Sequence, residues 1–386
     1  VNAHADVAAR AVVSEFAIDG ELLAVEKFER GHIHDTFISR FRRSDGSERR
    51  YLHQRLNDRV FRDVPALMNN IERVTGHLAG QYGDPDVVSH MHALELVPAR
   101  SGASFVAAGS GPWRTYVYIE GTRSLDLCEG PEQAWQAARA FGQFQADLID
   151  LDVSGLRMTI PNFFSSPYRM RQLDEAVATD AQQRVRGAKA ELAFVGARRG
   201  MVDVIEAAMR LGRFPRRVVH GDTKLNNVLF CQDSGKAVCV VDLDTCMPGY
   251  SLYDFGDLVR FTAACSKEDE TDLHRVGTDP ELFRALVDGY LESAAGFLTD
   301  DELRLMPFAA RLVTFTIGLR FLADHLNGDV YFKVGRENHN LDRARVQFAM
   351  VASMEQQTGS MEAWVRSRTR RGALVAGGGT AAAAEA

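Results

Sequence analysis

The chain has 386 residues, 46% of them hydrophobic and 25% charged, ordinary values for a globular protein long enough to form two lobes. A net charge of −7 argues against nucleic acid or an anionic membrane surface as the main partner. Five scattered cysteines without a CxxC pair, and no histidine cluster at zinc spacing, predict neither a disulfide framework nor a structural metal and suit a reducing cytoplasm.

The N-terminal stretch "VNAHADVAARAVVSEFAIDG" lacks the basic start and apolar middle of a signal peptide, and Val7, Ala11 and Phe16 suit an amphipathic helix. No stretch is expected to reach the ~20 apolar residues of a membrane span. Next, "ELLAVEKF", "TFISRFRR" and "ERRYLHQRL" read as strands, joined by the turns "RGHIHD" and "SDGS". Leu67, Ile71, Val74 and Leu78 recur at spacings of three and four, which predicts a helix. Strands return around "SFVAAG" and "WRTYVYIEG". From Gly121 onward long helices dominate, one opening at Pro131 and one carrying the stripe Leu312, Phe315, Leu319, Leu322 and Leu326. Only the strand pair in "NVLFCQDSGKAVCVVDL" interrupts them. Trp113, Trp135 and Trp364 read as packing residues. The expected division is an N-terminal lobe over 1–119, a mainly helical lobe over 120–371 and a disordered Ala/Gly-rich tail over 372–386.

The stretch "VVHGDTKLNNVLF" holds His220, Asp222 and Asn227 at the spacing of a kinase catalytic loop. A carboxylate there can accept the proton of an attacking hydroxyl, and an amide oxygen a short loop away can coordinate Mg²⁺ without adding charge. The run "AVCVVD" then ends in Asp242, where a strand exit would aim a second metal ligand into the same place. The triplet Asp254-Phe255-Gly256, which mimics the metal-binding triplet of protein kinases, instead follows a turn and opens a helical pattern. Asp254 is therefore read as a helix N-cap that could also brace the catalytic loop. Asp244, two residues beyond Asp242, points the same way if the chain is extended. His220 is assigned a structural role under the loop. Lys224 can neutralise charge on the γ-phosphoryl group. No P-loop and no G-x-G-x-x-G occurs, and the first hairpin carries only Gly31. The third strand lacks a lysine for the α/β-phosphates; Gln54 is the nearest candidate, with Glu72 on the following helix to orient it. Arg320 and Asp324, four apart on one helix, form a surface ion pair or else Arg320 faces the cleft.

The motif of His220, Asp222, Asn227 and Asp242 resembles the aminoglycoside phosphotransferase and choline kinase superfamily. Within it, "GHIHDTF", "DVPALMNNIERVT", "DTKLNN", "VVDLDTCMPGYSLYDFGD" and "LRFLADHLNGDVYF" resemble the N-acetylhexosamine 1-kinase family over about residues 10–355. The resemblance implies an α+β, protein-kinase-like bilobal fold with ATP as co-substrate and Mg²⁺. It implies an amino sugar, GlcNAc or GalNAc, phosphorylated on its anomeric hydroxyl. It makes Asp222 the catalytic base and Asn227 and Asp242 the magnesium ligands. His32, Lys224, Asp244, Arg320 and Tyr331 would surround the sugar, and Tyr118, Ile119 and Glu120 would be the hinge that meets adenine through its backbone. The alternative is a kinase of the same fold for another hexose, an aminoglycoside or a choline-like amino alcohol.

Overall fold

A computed structural model describes residues 9–28, 33–82 and 91–378, with side chains to residue 369. Two compact units form: Val1–Ser124, Asp150–Ile160 and Leu229–Pro248 make the first, and Leu125–Ile149, Pro161–Val228 and Gly249–Ala386 the second. The segments 150–160 and 229–248 thus join the first unit, where a division at residue 119 leaves them to the second.

The first unit opens with α1, helical over residues 9–13. Strands β1 (Glu21–Phe28), β2 (Asp35–Arg42), β3 (Glu48–Arg55), β4 (Leu96–Val97), β5 (Val106–Ala108) and β6 (Gly111–Val117) follow, with α2 (Val64–Gln81) between β3 and β4. The strands pair in the order β1-β2-β3-β6-β4, with β5 pairing with the start of β6, and every pairing is antiparallel. Alternation puts Phe37 and Phe41 of β2 on one face, where they pack with Phe16, Tyr51 and Trp113 against α1. In α2, Asp63 caps the N-terminus by accepting from the Ala66 N–H, and Leu67, Ile71, Val74 and Leu78 are buried. A second, three-stranded sheet holds β7 (Thr122–Ser124), β9 (Val228–Cys231) and β10 (Ala237–Val240) in the order β10-β9-β7. The expected strand pair in the helical half is this β9–β10 hairpin.

The second unit is helical: α3 (Pro131–Asp147), α4 (Ser166–Thr179), α5 (Lys189–Gly196), α6 (Val204–Arg210), α7 (Ser251–Thr262), α8 (Pro280–Ala294), α9 (Asp300–Leu326) and α10 (His339–Gly378), with the short strand β8 (Arg217–Val219); β11 (Met247–Gly249), just before α7, begins in the first unit and ends at Gly249, where the second resumes. Helices α3 and α8 touch backbone to backbone. A Cβ at Gly142 would lie 2.7 Å from the Tyr290 carbonyl oxygen, and one at Gly289 would collide with the Trp135 carbonyl. The stripe expected on α9 is fully buried, from Leu312 to Leu326. By length and composition α9 could cross a bilayer, contrary to the sequence expectation, but 78% of its apolar window is buried inside the protein, so it serves as a core helix. Helix α10 runs to Gly378, so residues 372–378 of the stretch expected to be disordered carry helical backbone, and 379–386 lie outside the described residues. All five cysteines are free.

Candidate active site

In the second unit the site is built where β8 ends. The chain turns at Gly221, whose φ of 81° suits glycine. Asp254 holds this turn from α7: its Oδ2 accepts the His220 N–H at 2.7 Å and its Oδ1 the Gly221 N–H at 2.9 Å. Its carbonyl accepts the Thr223 hydroxyl at 2.6 Å. Gln145 donates to Asp254 Oδ2 and in turn accepts from the Tyr290 hydroxyl, both at 2.6 Å. Burial pushes the Asp254 carboxyl up to about 7, against the pull of its N–H donors. The expected bracing is present, but Asp254 is not the N-cap. Helix α7 starts at Ser251 with Tyr250 as cap, so Asp254 lies in its first turn with its carboxylate spent on the loop.

His220 packs edge-on against Phe141 and Phe144, ring centroids 5.2 and 5.7 Å away, and its Nδ1 accepts the Asp222 N–H at 3.2 Å. This is the structural role expected of it. Lys224 Nζ lies 2.7 Å from Asp222 Oδ2. Asn227 Nδ2 donates to the Asp222 carbonyl at 2.8 Å and to its Oδ2 at 3.1 Å. Burial raises the Asp222 pKa, but Lys224, His220 and Asn227 outweigh it and hold the carboxyl below its ordinary value. The loop therefore presents an ionised carboxylate, a cation and an amide whose nitrogen is already spent.

On α9, Asp324 makes no pair with Arg320. Its carboxylate accepts the N–H groups of Val330, Tyr331 and Phe332 at 2.8–3.0 Å and the Asn340 amide at 2.9 Å. Arg320 instead lies 5.3–5.5 Å from the ring centroids of Phe163, Tyr331 and Phe332, and donates to the Tyr331 hydroxyl at 3.4 Å.

In the first unit Asp242 follows β10 as expected, but in a left-handed backbone conformation with φ 63°, and a tight turn over Leu243–Thr245 follows. Asp244 is therefore not on an extended chain. It is buried, and Arg114 grips it bidentately, Nη2 to Oδ2 at 2.7 Å. His34 Nε2 lies 3.1 Å from the same Oδ2, while its Nδ1 accepts the Asn57 N–H, so the proton sits on Nε2 and points at Asp244. Burial opposes ionisation of Asp244, but Arg114 and His34 hold its carboxyl well below the carboxylate range. Gln54 Oε1 accepts from Arg114 Nε and Nη2 at 2.9 and 2.7 Å.

Arg114 and His34 are the residues that sequence reasoning missed. The register places Gln54 directly opposite Arg114, a pairing that β6 alone does not announce. Glu72 does not orient Gln54: it lies on the exposed side of α2, whereas the buried Asn70 of that helix donates to the carbonyls of Arg157 and Cys246. Arg50 stacks on Tyr118 at 4.1 Å and donates to Glu120, while the Ile119 carbonyl accepts from Thr122. Gly31 and His32 lie outside the described residues.

The family model described as the phosphotransferase enzyme family, APH, matches residues 33–308. Among solved structures, an aminoglycoside phosphotransferase from Alicyclobacillus acidocaldarius is similar at 18% identity and a TM-score of 0.53, covering 94% of this chain and 96% of that one. A choline kinase from Cryptosporidium parvum gives 12% and 0.53, covering 89% and 93%. An amicoumacin kinase in complex with AMP-PNP and Ca²⁺ gives 14% and 0.51, covering 90% and 96%. At these identities the likeness concerns the fold, which is the expected α+β, protein-kinase-like one.

Proposed function

The chain belongs to the APH phosphotransferase family, and from that premise we propose that it is an ATP-dependent small-molecule kinase that phosphorylates the anomeric hydroxyl of an N-acetylhexosamine. The observation that carries this reading is the braced loop in which Asp222, Lys224 and Asn227 meet within 3.1 Å.

Asp222 Oδ would take the proton of the C1 hydroxyl, which is more acidic than an ordinary alcohol and so within reach of a carboxylate base. Lys224 brings a cation to the same atoms and neutralises charge on the transferred phosphoryl group. Asn227 and Asp242 are assigned as the magnesium ligands. The Asn227 amide nitrogen is held by Asp222, which leaves its oxygen for a cation, and Asp242 holds a strained backbone conformation of the kind found at functional sites. Among the described residues no group of three His, Cys, Asp or Glu side chains could hold a metal. Magnesium takes one or two protein oxygens and completes its shell with phosphate and water. The ion would supply charge neutralisation across the phosphates. Arg320, Tyr331 and Asp244, with His32, are assigned to the sugar. Gln54 and the hinge Tyr118, Ile119 and Glu120, with Gly31, are assigned to ATP. The five free cysteines suit a cytoplasmic enzyme.

ADP release measured with N-acetylglucosamine, N-acetylgalactosamine, glucose, an aminoglycoside and choline, with and without Mg²⁺, tests the proposal. The N-acetylhexosamines should support turnover only with the metal and yield an acid-labile phosphate. Preference for choline or an aminoglycoside, or an acid-stable product, would reject it.

A further inference from the structure

Helix α4 places a second guanidinium beside Arg320. Arg169 donates from Nη1 to Gln172 Oε1 at 2.8 Å and from Nη2 to the Phe163 carbonyl at 3.3 Å; both are neutral acceptors, and its Nε is buried without a partner. Phe163 ties the two arginines to one place, because its carbonyl holds Arg169 while its ring faces Arg320. Burial and the charge of Arg320 together push Arg169 down to about 10, so the two cations act on each other. Among the described residues, the one hydrogen bond of Arg320 is the 3.4 Å contact to the Tyr331 hydroxyl. The nearby carboxylate Asp257 is committed to Arg260 at 2.9 Å, and Arg260 also reaches Glu268.

Positive charge is thus in excess in a half-buried place walled by Phe163, Tyr331 and Phe332. Two guanidinium forks brought together without a carboxylate are unfavourable until a ligand supplies one or more oxygens. Arginine donates and never accepts, so the matching group presents acceptor oxygens, and an ammonium group there is repelled. Resting on the kinase reading above, we propose that Arg169 and Arg320 form a subsite for a substituent of the phosphoryl acceptor that presents only acceptor oxygens, namely the carbonyl of an acylamino group or a carboxylate. Arg169 is then the residue that makes the enzyme prefer such substituents to a free amine.

Four acceptors test this, glucose, glucosamine, N-acetylglucosamine and glucuronate, assayed with the wild type, Arg169→Gln and Arg169→Lys, each first checked by thermal melting. The wild type should disfavour glucosamine. Arg169→Gln should lower kcat/KM for N-acetylglucosamine, glucuronate or both by about tenfold, mainly through KM, while glucose moves less than about twofold. Arg169→Lys, which keeps the charge without the fork, should fall between. Loss on N-acetylglucosamine alone identifies the carbonyl as the group read; loss on glucuronate alone identifies the carboxylate. An equal effect on all four sugars, no effect on any, or a wild type that prefers glucosamine overturns the subsite. Saturation-transfer NMR of the same sugars without nucleotide separates the two proposals. Binding that discriminates through Arg169 without turnover keeps the subsite and removes the kinase reading; turnover without discrimination does the reverse.

Discussion

Lys224 helps to set the charge of Asp222. Burial would raise the Asp222 pKa, and Lys224 is the first of the groups that bring it down. Removing the amine in Lys224→Met leaves burial unopposed, so Asp222 titrates higher and less of it is ionised at a given pH. The acid limb of the pH–rate profile should move to higher pH, and maximal turnover should fall by about tenfold or more; an unmoved limb would detach Lys224 from the base. A second buried group acts on stability. His53 lies between Ser39 Oγ and Thr115 Oγ1, both at 2.7 Å, and burial lowers its pKa to about 3. The unfolded chain takes up this proton near 6.5 and the folded one does not. His53 therefore costs nothing above that pH, and stability is lost as pH falls from 6.5 toward 3, by up to a few kcal/mol. Urea unfolding of His53→Gln should show a shallower decline over this window than the wild type.

The elements were largely legible from residue spacing, and their side-chain partners were not. Leu67, Ile71, Val74 and Leu78 announce α2, and all four are buried; Leu312 to Leu326 announce the core helix α9. Local pattern failed where a side chain answers to a distant backbone. Asp254 looks like a cap, yet its carboxylate serves the N–H groups of His220 and Gly221, thirty-odd positions earlier. Asp242 and Asp244 look like neighbours on a strand, but Asp242 itself is left-handed and Asp244 lies in the tight turn that follows. Arg114 gained its place only through the β3–β6 register. The helix pair α3–α8 yields a prediction of its own. Gly289→Ala would drive a methyl into the Trp135 carbonyl, so the helices must part, at a cost of about 1–3 kcal/mol. Thermal melting should show a drop of several degrees. A melting point equal to the wild type's would mean that the two helices do not approach this closely.

At the scale of the whole molecule, each unit holds its own group of polar side chains. Asp222, Lys224 and Asn227 stand on the loop of the second unit; Asp242 and the buried Arg114–Asp244 pair belong to the first. The composition and the catalytic-loop motif made the kinase class readable in advance, since few arrangements other than phosphoryl transfer need a carboxylate and an amide five residues apart. The acceptor was less readable, because the side chains proposed to select it come from α4, α9 and the loop after α9 and share no local pattern. The account rests on Asp222 as the group that takes the proton. Its direct test is the single-turnover rate of Asp222→Asn with N-acetylglucosamine, measured beside the affinity for Mg-ATP. The rate should fall by about a thousandfold or more while nucleotide affinity stays within about threefold; a variant that turns over at a near wild-type rate would contradict it.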